Sequence, residues 1–135
     1  MRIFLDANVL FSASKATSNI GRLIQILRQR GIVVTSDFAL EEARRNILLK
    51  RPEWSKELDT LIEQVEIVPS VQFPLPVELV EKDQPILCTA IRAGCQYLVT
   101  GDNQDFGHLY DQTIEGVMVV SLIRLAEVIM TADDG

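Results

Sequence analysis

Arg2-Ile3-Phe4-Leu5-Asp6 is the stretch on which the fold turns. An apolar run broken abruptly by an acid reads as a short buried strand with a charge at its carboxyl end. Tyr97-Leu98-Val99-Thr100 repeats the pattern and is followed by Gly101-Asp102. Ile32-Val33-Val34-Thr35, Glu66-Ile67-Val68 and Val117–Val120 are the other strand-like runs, rich in β-branched residues. Helical patterns lie between them. Ile20, Leu23, Ile24 and Leu27 recur at helical spacing over Asn19–Arg30, with a Thr17/Ser18 cap before and Gly31 after. Ser36-Asp37 opens a helix to about Leu49, and Pro52 separates it from one carrying Trp54, Leu58, Leu61, Ile62 and Val65. Asp83 opens another that runs to Gly94, with Pro85 allowed in its first turn. Ser121 caps a last helix to about Met130, and Gly101–Glu115 reads as loop and short turns. Alternating strands and helices require crossover connections. The expected architecture is therefore α/β: a three-layer α/β/α sandwich, Rossmann-like, around a mainly parallel sheet of about five strands. Residues 1–130 read as one domain and 131–135 as a frayed tail.

Composition agrees with a packed protein: 135 residues, 47% hydrophobic and 24% charged. The apolar runs are strand-sized, far short of the ~18 residues that span a bilayer. Asp6 interrupts the N-terminal run where a secretory signal would stay apolar, so a cytoplasmic protein is expected. Cys88 and Cys95 fall on one predicted helix, about 10 Å apart, and read as buried thiols. The net charge of -6 excludes a protein that coats itself with nucleic acid through a uniformly basic surface. Arg44, Arg45, Lys50, Arg51 and Lys56 nevertheless cluster, and Arg44 and Arg45 are candidates for contacts to a nucleic-acid backbone.

In open α/β sheets, sites form beyond the carboxyl ends of the strands. Asp6 and Asp102 sit there, and Asp83 opens a helix expected near the same edge. Singly, each acid has a structural explanation as a cap or turn residue. Together they repel one another unless cations bind between them. Oxygen ligands without a neighbouring His or Cys pair point to Mg²⁺ or Mn²⁺ rather than zinc, and the lone His108 is not read as a ligand. Mg²⁺ commonly bridges carboxylates to phosphate oxygens, which suggests phosphate-ester chemistry.

Three segments carry a family resemblance: Phe4-Leu5-Asp6-Ala7-Asn8-Val9-Leu10-Phe11-Ser12-Ala13, Leu40-Glu41-Glu42-Ala43-Arg44-Arg45-Asn46-Ile47-Leu48, and the run from Lys82-Asp83 to Thr100-Gly101-Asp102. In this order they resemble the PIN domain family of metal-dependent nucleases, which includes the VapBC-type toxins. The resemblance implies a four-acid core of Asp6, Glu42, Asp83 and Asp102, supported by Asn8, Ser12 and Thr100. Helical periodicity leaves Glu41 and Glu42 undistinguished, and family spacing selects Glu42. Asp105 is a peripheral candidate for the metal site. The implied activity is Mg²⁺- or Mn²⁺-dependent endoribonuclease action, with metal-activated water attacking an RNA phosphodiester, as in the toxin of a toxin-antitoxin pair. An antitoxin protein and a homodimer stay open as partners. Two alternatives also stay open: a haloacid-dehalogenase-like phosphatase, weakened because Asn8 stands where that family has its general acid, and a catalytically silent PIN-fold binding module.

Overall fold

The computed structural model describes residues 1–15 and 17–134. Its six-stranded sheet has the order β3-β2-β1-β4-β6-β5, formed by β1 (Arg2–Leu5), β2 (Ile32–Ser36), β3 (Glu66–Val68), β4 (Tyr97–Val99), β5 (Thr113–Ile114) and β6 (Val117–Val120). All neighbouring pairs are parallel except β5 with β6. Helices cover both faces, giving the three-layer sandwich that the alternation implied. They are α1 (Ala7–Ala13), α2 (Asn19–Arg30), α3 (Asp37–Lys50), α4 (Ser55–Ile62), α5 (Gln84–Arg92), α6 (Asn103–Phe106) and α7 (Leu122–Asp134).

β1 lies mid-sheet, with Phe4 paired to Val34 of β2 and to Leu98 of β4. Ile3, Phe4 and Leu5 are fully buried, as the strand at the centre of a doubly covered sheet must be. The chain runs from β1 to β2 on one side and reaches β4 on the other. The carboxyl ends of β1 and β4 therefore flank the point where strand order reverses, the position that favours a crevice. Asp6 N donates to Val99 O at 3.0 Å, joining those two ends directly.

Several elements differ from expectation. α1 is an additional helix. Asp6 caps it, accepting from Ala7 N, and at seven residues it is too short to display a helical period. The segment 101–115, expected as loop and short turns, contains the four-residue α6, a 3₁₀ turn at Gly107–Leu109 and also β5, which raises the strand count from five to six. β5 returns through a two-residue hairpin at Glu115 and Gly116, both with positive φ, 50° and 87°. α5 ends at Arg92, so Cys95 lies beyond it rather than on the same helix as Cys88. Both are free, buried thiols. α7 continues past Met130 to Asp134, because no proline or glycine intervenes. Of the expected tail, Gly135 lies outside the described residues. No helix among the described residues is long and apolar enough to cross a membrane.

Candidate active site

A cleft of about 180 Å³ opens at the carboxyl edge of the sheet, lined by Asp6, Glu42, Asp83 and Asp102 with Asn8, Asn46, Phe11, Lys50 and Lys82. Four elements supply the acids. Asp6 follows β1, Glu42 projects from α3, Asp83 closes the 3₁₀ turn Glu81–Asp83 ahead of α5, and Asp102 caps α6 by accepting from Asp105 N.

Asp6 is held most rigidly. It is 3% exposed. Ala7 N donates to Oδ1 at 2.7 Å, while Thr100 Oγ1 at 2.8 Å and Asn8 Nδ2 at 3.3 Å donate to Oδ2. Asn8 also accepts from Gly101 N at 2.8 Å, and Thr100 Oγ1 accepts from Asp102 N at 3.1 Å. Asn8 and Thr100 thus lock the β1 and β4 ends together and fix Asp6 relative to Asp102. Tyr110 Oη anchors the Thr100 carbonyl at 2.9 Å, a support that nothing in the local sequence pattern signalled. Burial pushes the Asp6 carboxyl up to about 6. The donors from Thr100 and Ala7 act against that rise, and the charges of Glu42 and Asp102 reinforce it.

On the other wall, Asp83, Asp102 and Asp105 each place one carboxylate oxygen within 4.8 Å of the others. Burial raises the Asp83 carboxyl to about 7, helped by the Asp105 carboxyl beside it and by the charge of Asp6. Asp105 is lowered, first by Asp83, which keeps the proton, and also by Lys82 at 3.4 Å. Asp83 Oδ2 is buried with no hydrogen-bond partner. An orphaned carboxylate oxygen within an all-oxygen group fits a hard divalent cation, which would satisfy that oxygen and relieve the repulsion. His108 is bonded to the Glu78 carbonyl outside this group.

The remaining expected residues divide. Glu42 lines the cleft, whereas Glu41 is exposed and pairs with Arg45 at 3.6 Å. Ser12 faces a neighbouring pocket with Ile20, Leu122 and Ile123 and is not part of the acidic cleft. Arg44 and Arg45 do not line it either: Arg44 donates to Asp59 at 2.7 Å. Arg44 lies about 200° round α3 from Glu42, and Arg45, although about 60° away, is exposed and turned to Glu41, while Asn46 and Lys50 follow Glu42 at four-residue steps. That i, i+4, i+8 spacing was the available signal for Asn46 and Lys50.

The PIN domain family profile matches residues 2–104. Among solved structures, VapBC2 from Rickettsia felis, bound to a DNA fragment from its promoter, aligns with a TM-score of 0.66 and 16% identity. The match covers 90% of this chain and 98% of that one. VapBC-1 from nontypeable Haemophilus influenzae gives 0.60 and 14%, covering 91% and 99%. VapC20 of Mycobacterium tuberculosis, a sarcin-ricin loop cleaving toxin, gives 0.57 and 12%, covering 83% and 98%. At these identities the likeness is one of fold. No curated protein sequence matches the chain.

Proposed function

The chain belongs to the PIN domain family, and from that premise we propose that residues 1–130 act as one Mg²⁺- or Mn²⁺-dependent endoribonuclease, the toxin of a toxin-antitoxin pair in the cytoplasm. The observation that carries the proposal is the convergence of Asp6, Glu42, Asp83 and Asp102 on one cleft at the reversal point of the sheet. Asp6 and Asp102 would hold the cation most directly, with Asp83 and Glu42 completing its surroundings and Asp105 an outlying ligand. When bound, a divalent ion supplies Lewis-acid activation of an attacking water and neutralises charge that develops on the phosphate.

The chain's own groups prepare that chemistry. Thr100, Asn8 and Ala7 N aim the Asp6 carboxylate before anything binds, so little reorganisation is left for the reaction. Asp83, its carboxyl raised to about 7 by burial, would give up its proton to a bound cation. Lys82 neutralises Asp105 from outside. Glu42 in the same cleft, for which a phosphatase has no role, supports a ligand role for Asp6 over the nucleophile that a phosphatase would require. RNA as substrate is supported by the neighbour that cleaves the sarcin-ricin loop, and an antitoxin partner by the VapBC complexes.

The test is Mn²⁺-supported cleavage of a mixed RNA panel with an EDTA control. Glu42→Gln is expected to lower the rate at least about tenfold, ~1.4 kcal/mol of transition-state stabilisation, with its melting temperature nearly unchanged. Full activity in Glu42→Gln would remove Glu42 from the site. An inert wild type that binds a partner protein would favour the silent module.

A further inference from the structure

Asn46, Lys50 and Phe11 line the acidic cleft without holding any of its carboxylates. Glu42, Asn46 and Lys50 form one stripe along α3, each step rising about 6 Å, so the stripe leads from the acids to the cleft mouth. Lys50 is the last residue of α3, is exposed, and has no ion-pair partner among the described residues. Its neighbours differ: Arg44 is paired with Asp59 and Arg45 with Glu41. On the α1 side, the half-buried Phe11 ring is braced by Trp54, with centroids 5.2 Å apart and planes tilted 56°. The Arg51 guanidinium lies 5.7 Å over the Trp54 ring. A free cation and a braced aromatic ring thus flank the acids.

These are the two groups that a nucleotide engages, through its phosphate and through the face of its base. The geometry points to Lys50, Asn46 and Phe11 as a subsite for the nucleotide next to the scissile phosphate of single-stranded RNA. Lys50 and the Asn46 amide donate to its phosphate, and its base lies against Phe11. The subsite rests on the nuclease reading above. It selects for unpaired strands, because a base stacked inside a duplex offers no free face.

The test is fluorescence anisotropy of a short labelled single-stranded RNA on the full chain with Ca²⁺, strand integrity being checked on a gel. Lys50→Met is expected to weaken binding several-fold and to reduce the slope of log affinity against log salt by about 0.7, the share of one single-strand phosphate contact. Lys50→Arg should restore both. Phe11→Leu should weaken binding roughly tenfold, the scale of one base stack, at an unchanged salt slope, while Phe11→Tyr binds as wild type. Thermal melts separate these effects from misfolding, and the exposed Lys50 decides the matter if Phe11→Leu does not fold. Wild-type affinity and slope in Lys50→Met, or a duplex bound as tightly as the single strand, would overturn the subsite while leaving RNA cleavage by the wild type intact. A wild type that neither binds nor cleaves RNA would overturn the subsite and the nuclease reading together.

Discussion

Asp6 does two jobs with one side chain, capping α1 and contributing charge to the cleft, and these separate by pH. In the unfolded chain its carboxyl titrates near 3.8, and in the folded protein near 6. Between those values the folded state holds the extra proton, so this group's contribution to stability falls as pH rises from about 4 to about 6. Asp6→Asn cannot titrate. In EDTA, its melting temperature relative to wild type should therefore rise across that interval, leaving it equal or more stable near pH 7.5 even though RNA cleavage is lost. Differential scanning calorimetry at several pH values checks this, and a variant that loses ground as pH rises would show that Asp6 matters chiefly as a cap. The acids following β1 and β4 were legible because a charge after an apolar run is conspicuous. Tyr110 was not, since its bond to the Thr100 carbonyl joins segments ten residues apart through a turn with no periodic pattern.

At the scale of elements, legibility followed periodicity. α2 is found at its expected bounds, Asn19–Arg30, because a polar face alternates with Ile24 and Leu27 over three turns between Ser18 and Gly31. α1 and α6 have seven and four residues, too few to display a period, and each is set by a cap that doubles as a site acid, Asp6 or Asp102. The β5–β6 hairpin was hidden for a different reason: its turn is Glu115-Gly116, not the Asn-Gly or Asp-Gly pair that announces such turns. Glu115 holds φ of 50° with a side chain that disfavours it. Glu115→Asn should therefore stabilise the protein by about 0.5–1 kcal/mol, the scale of relieving one left-handed residue, with RNA cleavage unaffected. Urea denaturation measures the gain. A loss of stability would mean that the Glu115 side chain contributes more than its backbone strain costs.

Over the whole molecule, charge and topology express one arrangement. Five carboxylates gather where strand order reverses, and setting Asp6, Glu42, Asp83, Asp102 and Asp105 aside moves the formal charge from -6 to -1. The excess negative charge of the chain is thus concentrated at one edge of the sheet. Arg44 and Arg45 pair with Asp59 and Glu41 outside the cleft lining, while Lys50 and Lys82 line the cleft. This edge of the sheet suits a divalent cation, and Mn²⁺ titration of the chelator-treated protein by calorimetry at pH 5 and pH 8, with Asp102→Asn alongside, tests whether it holds one. Protons on Asp6, near 6, and Asp83, near 7, compete with the ion, so affinity should be weak at pH 5 and tighten as pH rises through those values. Asp102→Asn should lose at least about tenfold of the pH 8 affinity, in line with removal of one ligand or its close support. Binding that is absent at pH 8, or equally strong in Asp102→Asn and indifferent to pH, would contradict the account.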